Sequence, residues 1–424
     1  MNMNSEMECR RAVEALRAGV PNRDAVLALG CEQPVIEERF RRQLEQSKEV
    51  GWRAAQAPGL LLAGDFGAGK SHLLEYLEHV ALENNFICSK IVISKETPLH
   101  DPVKFYRAAI RAAVVPGKKG FAPAEIAMAL GLNPPDKSYL DLLDWVHSAD
   151  CALNTRFAAT LFLVKHLTKV QEELDRIIRF WSGEAIGSGE LKKLLKQCGE
   201  KAGYKLEPIK QRELAVQRFQ FMPRLMMAAG YSGWVLLVDE VELIGRYSIL
   251  QRGKSYAELA RWAGKVPNQS LAGLTAVFAI TSNFEPEVLG EHGKNDQDAV
   301  PAKLRAKGLD ELAKHAERAI RFIQKERVSL RAPDHEAVAR VEQKVRSIYS
   351  RAYGGWELRE TPRHLKGKSA VLRQYVRGWI NQWDLERLYG YHGHTVVKFE
   401  ETRTGYTEDS VLENSSVGDS EDNS

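Results

Sequence analysis

The chain has 424 residues, with 60 Lys and Arg against 56 Asp and Glu, and 44% of its residues are hydrophobic. This composition is typical of a globular protein, and the length predicts two or three compact units. No run approaches the roughly 18 consecutive apolar residues that a membrane span needs, and the first residues do not form a secretory signal. The five cysteines are scattered without a CxxC pair, which argues against a zinc site or a disulfide framework and indicates a reducing compartment.

The charge is distributed unevenly along the chain. From Glu400 onward there are eight acidic residues and one basic residue, so the rest of the chain carries a net charge of +11. A basic body with an acidic tail favours contact with nucleic acid. A solvated surface with a solubilising tail would account for the same charges.

The predicted elements begin with helices over residues 5–49, where Asn22 or Asp24 can cap the second helix and Pro34 lies near the start of the third. Apolar runs then predict five strands, separated by helices at 71–83 and 102–115. The strands are expected at 59–63, 86–93, 234–238, 274–280 and, more briefly, 328–330.

Residues 118–223 show helical patterns without a strand, including one long helix over 155–181, and a helical pattern returns from Pro333 to about Tyr389. The polar, acidic stretch after about Thr402 is expected to be disordered and dispensable for activity. We therefore predict an α/β protein with a parallel-sheet core. Its expected units are an N-terminal helical segment (1–50), the core (51–117 and 224–332), a helical insertion (118–223), a C-terminal helical lid (333–399) and an acidic tail (400–424).

A glycine-rich loop follows the first predicted strand and matches the phosphate-binding pattern GxxxxGK[ST]. Its residues are Gly64, Asp65, Phe66, Gly67, Ala68, Gly69, Lys70 and Ser71. The glycines allow successive N–H groups to point at phosphate oxygens, and the following helix adds partial positive charge. Lys70 is expected to reach the β- and γ-phosphates and Ser71 to bind Mg²⁺. The loop predicts a P-loop NTPase that binds ATP with Mg²⁺; a glycine turn with a surface lysine is the alternative.

Two carboxylates follow the third apolar strand, as in the Walker B pattern. Asp239 would hold Mg²⁺ through water, and Glu240 would polarise the attacking water, which favours hydrolysis over transfer. A solvated strand end is the alternative interpretation. Adjacent carboxylates at a strand end pack poorly unless a cation or a substrate is bound there.

Two further residues are candidates for catalysis. Asn283, or Ser282 next to it, follows the fourth strand, where additional-strand ATPases place a polar residue that orients the lytic water. A strand-end turn is equally consistent with these two residues. Arg363 opens a helix in Thr-Pro-Arg-His-Leu, which resembles the sensor-2 motif of AAA+ proteins, although Glu-Thr stands where Gly-Asn is usual.

Together these motifs resemble the AAA+/Cdc6-Orc-like branch of P-loop ATPases, and most closely the ATP-binding proteins of bacterial BREX phage-defence systems, the BrxD-like family. The more specific signal is Ser-Lys-Glu-Thr-Pro-Leu-His-Asp (94–101), because nucleotide binding in general does not require it. Three further blocks carry the resemblance: 17–23 with 29–31, 64–72, and 238–246 leading to 254–256. The second of them adds His72 to the nucleotide-binding candidates. The resemblance implies a cytoplasmic ATPase that acts with a helicase or other defence proteins.

Two functions remain open at this point. One is an ATPase whose hydrolysis drives a conformational or assembly step on DNA; the other is a slowly hydrolysing switch or scaffold that recruits a helicase or nuclease. Glu240 disfavours a kinase, and the lack of Asn-Lys-x-Asp disfavours a GTPase. The preferred DNA surface is the cation-rich segment 363–379, which contains Arg363, Lys366, Lys368, Arg373 and Arg377 with Tyr375 and Trp379 interleaved. A second cation-rich segment, 303–331, also contains acidic residues that offset part of its charge. A homo-oligomer would need an arginine finger, for which the candidates are Arg246, Arg305, Arg318 and Arg321.

Overall fold

The computed structural model describes most of the chain. The described residues are 6–19, 22–50, 58–132, 137–148, 151–167, 171–200, 203–267, 269, 271–356, 372–391 and 405–409. Arg363 and the tail after residue 409 lie outside these ranges, as do Lys366 and Lys368.

The core of the protein is one six-stranded, mostly parallel sheet. Its strands are β1 (Leu60–Gly64), β2 (Ile87–Val92), β3 (Ala113–Val114), β4 (Trp234–Asp239), β5 (Leu274–Thr281) and β6 (Val328–Ser329). Their order is β3-β2-β4-β5-β1-β6. Strand β3 is antiparallel to its neighbour β2, and the other described strand pairs are parallel. The five predicted strands are confirmed, and so is the α/β class.

The helices fall into four groups along the chain. The first group is α1 (Glu6–Ala18), α2 (Arg23–Leu29), α3 (Pro34–Val50), α4 (Lys70–Glu83) and α5 (Pro102–Arg111). The second is α6 (Ala122–Leu132), α7 (Lys137–His147), α8 (Arg156–His166), α9 (Gln171–Trp181), α10 (Ser188–Gln197) and α11 (Gln211–Ala228). The third is α12 (Ile249–Trp262), α13 (Asp296–Arg305) and α14 (Asp310–Lys325), and the fourth is α15 (His335–Ala352) and α16 (Leu372–Tyr389). Among the described residues, no helix combines the length and the apolar character that crossing a membrane requires.

The central strands are buried on both faces, as expected for parallel strands covered by helices. Successive side chains alternate between two cores: Leu236 and Val238 point to one side, and Val235 and Leu237 to the other. The alternation explains why β4 is apolar throughout, because neither of its faces meets water.

Two predictions about the helices are wrong. The helix predicted over 102–115 ends at Arg111, and Ala113 pairs with Ser89 in a two-residue strand. The helix predicted over 155–181 is split into α8 and α9. Trp181 Nε1 donates to Thr160 Oγ1 over 3.1 Å, whereas a straight helix would separate residues 21 positions apart by about 30 Å. The chain therefore folds back between them.

The two ends of the chain share a separate hydrophobic core. Helices α1 and α2 bury Val13 and Leu29 against Tyr349 of α15 and Trp383 of α16. Asn22 accepts from Ala25 N over 2.8 Å, which confirms it as the cap of α2. Trp379, which is interleaved with the cations of the segment 363–379, is also buried in this core, so it is not part of the surface that those cations offer to DNA.

Part of the acidic tail is folded against the core, which corrects the expectation that the whole tail is disordered. In residues 405–409, Tyr406 is buried to 7% exposure and Glu408 forms an ion pair with Arg252. The low apolar content of the tail is offset locally, because one aromatic side chain and two carboxylates each meet a partner on the core.

Candidate functional site

The glycine-rich loop connects β1 to α4 at the carboxyl edge of the sheet. Gly67 and Gly69 have φ of 80° and 98°, in the left-handed region that glycine adopts without strain. A Cβ on Gly69 would meet nothing within 4 Å, so the loop is open on that side. Backbone curvature and open space together form a cradle for a ligand at the N-terminus of α4.

Lys70 is turned back onto this loop. It is 8% exposed, and its Nζ donates to Gly64 O over 2.8 Å and to Asp65 O over 3.3 Å. Burial lowers the pKa of Lys70, against the opposing effect of nearby carboxylates such as Glu242. A buried ammonium group that donates to loop carbonyls can donate instead to anionic oxygens, which form stronger hydrogen bonds.

Ser71 and Asp239 lie together although 168 positions separate them in the sequence. Ser71 Oγ donates to Asp239 Oδ2 over 2.6 Å across the edge of the sheet. A hydroxyl and a carboxylate at this distance fit Mg²⁺, which commonly takes one or two protein ligands and completes its shell with phosphate and water. The described residues hold no cluster of three or more His, Cys, Asp or Glu side chains that would bind a metal unaided.

Glu240 follows in a special backbone conformation. Its φ of 57° is in the left-handed region, which non-glycine residues enter rarely and often at functional sites. Partial burial and the neighbouring Asp239 raise the pKa of its carboxyl group, against an opposing effect of Lys70. The side chain is exposed at the end of β4, where a bound molecule can reach it.

Glu242 is a second carboxylate near Lys70, and the sequence motifs assign it no role. It is 5% exposed, and its Oε2 has no hydrogen-bond partner among the described residues. Burial raises its pKa to about 7, which Lys70 partly opposes. The signal in the sequence is the spacing Asp-Glu-Val-Glu, which places a third acid within one turn of the strand end.

Asn283 follows the strand that lies between the two site strands. Strand β5 pairs with β1 and β4, and its Thr281 is in register with Gly64 of the loop. Asn283 Nδ2 donates to Glu287 Oε1 over 3.0 Å, and its Oδ1 accepts from the Tyr406 hydroxyl. Ser282, the alternative candidate, lies beside it and is half-buried.

The other predicted binding residues have different surroundings. His72 pairs through Nε2 with Gly30 O over 3.0 Å, which ties α4 to the end of α2, and burial lowers its pKa. Phe66 is 52% exposed at the tip of the loop, and Asp65 is exposed next to it. Ala68 lines a cavity beside the loop.

This cavity is lined by the glycine-rich loop together with residues from the N-terminal helices and from α16. It is bounded by Gly67 and Gly69 on one side, by residues 29–33 on another, and by Leu372, Arg373 and Val376 of α16 on a third. Most of its lining is apolar or backbone. Arg373 brings a cation into the same cavity, whereas Arg363 lies outside the described residues.

The Ser-Lys-Glu-Thr-Pro-Leu-His-Asp block forms a turn after β2. Ser94 Oγ accepts from the backbone N–H groups of Glu96 and Thr97 over 3.2 Å, and Asp101 caps the first turn of α5. The ring of His100 packs edge-on against Tyr247, at 5.1 Å between centroids. These contacts give the block a structural role next to the 3-10 helix (Val241–Arg246) that follows Glu240.

Comparison with known proteins shows which family the chain belongs to. Searches of curated proteins and of solved structures found no match. A family model described as BREX system ATP-binding protein BrxC/D matches residues 5–120 and 196–375. The matched ranges contain the glycine-rich loop, the carboxylates and Asn283, and they leave out much of the helical insertion. The chain therefore belongs to the BrxC/D family of BREX system ATP-binding proteins, as its sequence motifs suggest.

Proposed function

We propose that this protein is an ATPase with a P-loop core of the AAA+ kind. The observation that carries the proposal is the meeting of Lys70, Ser71 and Asp239 at the carboxyl edge of a parallel sheet. Ligands of open α/β sheets bind at that edge. Family membership supports ATP as the ligand.

ATP would bind with its phosphates on the glycine-rich loop and its base in the adjoining cavity. Lys70 would exchange its bonds with Gly64 and Asp65 carbonyls for phosphate oxygens. Ser71 and Asp239 would hold Mg²⁺, which neutralises charge on the β- and γ-phosphates. The apolar lining next to Gly67 and Gly69 supports a base at that position.

Hydrolysis requires a water whose oxygen bonds to the γ-phosphorus while the bond to the bridging oxygen of ADP breaks. Glu240 would orient this water and accept its proton, and Asn283 would hold it from the neighbouring strand end. Arg363 remains our sequence-based candidate for contact with the γ-phosphate. Arg373 lines the cavity that we assign to the base, so it would contact the nucleotide there and not at the γ-phosphate.

We propose the partners and the DNA step that hydrolysis would drive from the family of the protein and from its charge. Membership of a BREX system supports other defence proteins as partners, and we propose a helicase among them. The net charge of +11 outside the tail supports DNA as the surface on which the step takes place. A homo-oligomer would allow a cation of one copy to complete the site of another.

The test is ATP binding and phosphate release by the purified chain and by Glu240→Gln, each with Mg²⁺ and with or without DNA. We expect the variant to bind ATP like the parent and to lose turnover by at least about a hundredfold, because an amide is a poor base. Equal turnover in both proteins would contradict the role of Glu240. Tight binding with negligible turnover in the parent, with and without DNA, would favour the slow switch.

A further inference from the structure

Residues 405–409 cross the carboxyl edge of the sheet next to Asn283. The ring of Tyr406 lies edge-on to Phe284, at 5.8 Å between centroids, and packs so closely on Gly245 that a Cβ there would approach Tyr406 Cδ1 to 2.8 Å. This aromatic side chain is therefore seated in a formed socket between the ends of β4 and β5.

Ion pairs hold the same segment on its carboxyl side. Glu408 Oε1 lies 2.7 Å from Arg252 Nη1, and Arg252 is itself buried against Asp296. Asp409 bonds to Arg246 twice, through its backbone N–H to the carbonyl over 3.1 Å and through its carboxylate over 3.3 Å. The segment is thus anchored beyond Tyr406, independently of the aromatic contact.

The Tyr406 hydroxyl lies in a directed chain of hydrogen bonds. It donates to Asn283 Oδ1 over 3.1 Å, and because it has a single proton, Thr281 Oγ1 must be the donor in the 2.7 Å contact between the two hydroxyls. The amide oxygen of Asn283 therefore faces the tail and its NH₂ group faces away. Glu287 accepts from that NH₂, which has a second N–H to offer.

We propose that Tyr406 is a positioning residue, which holds the Asn283 amide with its NH₂ group toward the reacting phosphate and water. The inference rests on the proposed ATPase function and extends it to a residue from the far end of the chain. Without the Tyr406 hydroxyl, the amide keeps only its hydrogen bond to Glu287, an exposed side chain, and its orientation is held less firmly. Binding of ATP does not depend on this orientation, because Lys70, Ser71 and Asp239 are untouched.

The test compares the full chain with Tyr406→Phe, Asn283→Ala and the double variant, with Tyr389→Phe as a control because Tyr389 is 76% exposed. We measure kcat and KM for ATP, the Kd of a fluorescent ATP analogue and the thermal midpoint. We expect Tyr406→Phe to lower kcat about tenfold, the equivalent of one hydrogen bond, with Kd unchanged. The double variant should be no slower than Asn283→Ala, because both changes remove one function.

The inference is overturned if Tyr406→Phe keeps the parent kcat, or if the two losses multiply in the double variant. A fall in the thermal midpoint with kcat intact at low temperature would assign Tyr406 a structural role only. Absence of turnover in the parent would instead refute the proposed function, so the two failures are distinguishable.

Discussion

Lys70 is the single residue on which the proposed nucleotide site depends most directly. Its ammonium group is buried, and its hydrogen bonds go to loop carbonyls that any phosphate would displace. The buried carboxylates nearby, Asp239 and Glu242, gain a cation from it in the free protein. Removing the ammonium group should therefore affect ligand binding more than core packing.

Lys70→Ala is expected to weaken ATP binding at least about a hundredfold, because the variant cannot make a charge-assisted hydrogen bond to phosphate. Equilibrium titration with a fluorescent ATP analogue measures the effect. Lys193→Ala, which removes an exposed lysine on α10, is the matched control. Parent-like affinity in the Lys70 variant, with the fold intact by circular dichroism, would refute the assignment.

His100 predicts a pH dependence of stability. Burial lowers its pKa to about 4, whereas the unfolded chain has the ordinary value near 6.5. Between these values the unfolded state binds more protons, so stability is full above the unfolded pKa and falls as the pH drops toward 4. At pH 5 the free energy of unfolding is therefore about 2 kcal/mol lower than at pH 7.

His100→Asn should reduce the fall in thermal midpoint between pH 7 and pH 5. Comparing the change with pH, rather than the midpoint itself, removes the effect of weaker packing against Tyr247. His292→Asn, at an exposed position, should keep the parent's pH dependence. An unchanged pH dependence in the His100 variant would show that other groups carry it.

At the scale of elements, the segment 405–409 changes the expected boundary of the folded protein. It contacts Thr281, Asn283, Arg246 and Arg252, which lie at or next to the carboxyl edge of the sheet. Composition predicts disorder because it averages over the whole tail. One tyrosine with a socket and two anchored acids is enough to order five residues locally.

Two truncations test this element. A chain ending at residue 404 should lose most ATP turnover, about tenfold or more if Asn283 is misplaced, while still binding ATP. A chain ending at residue 409 keeps the segment and should turn over like the full chain, as we predict for the rest of the tail. Phosphate release by both proteins, at matched thermal midpoints, decides between a local role and general destabilisation.

At the scale of the whole molecule, two cation-rich segments are candidates for binding DNA, and the structure distinguishes between them. In the cation-rich segment 303–331, Arg305 pairs with Glu317 and Lys314 with Glu311, each over 2.6 Å, which reduces the free charge there. In the segment 363–379, Arg373 lines the cavity beside the glycine-rich loop and Trp379 is buried. We therefore leave Arg373 unchanged in the test and replace Lys366 and Lys368, which lie outside the described residues.

We predict that the protein binds duplex DNA without sequence preference and that affinity falls steeply with salt. Replacing Lys366 and Lys368 by Ala should lower the slope of log affinity against log salt by about 0.9 for each phosphate that is no longer neutralised. Lys192 and Lys193, replaced together, are the control. Anisotropy titrations at low salt that detect no binding, with or without ATP, would favour a switch that acts on proteins alone.

Features that depend on short-range chemistry could be predicted from the sequence. Apolar runs predicted five of the six strands within a residue or two, Asn22 capped its helix as expected, and the glycine-rich loop formed between a strand and a helix. These are properties of a few neighbouring residues. The family could also be recognised this way, because its blocks are short and contiguous.

Features that depend on residues far apart in the sequence could be found only in the folded structure. The break between α8 and α9 follows from packing Trp181 on Thr160, and the contact between Ser71 and Asp239 exists because the sheet places β1 and β4 on either side of β5. Burial turns Glu242 into a group with a pKa of about 7, and a socket on the core selects Tyr406 from an otherwise polar tail. Side-chain environment is a property of what surrounds a residue in space, and the linear pattern does not contain it.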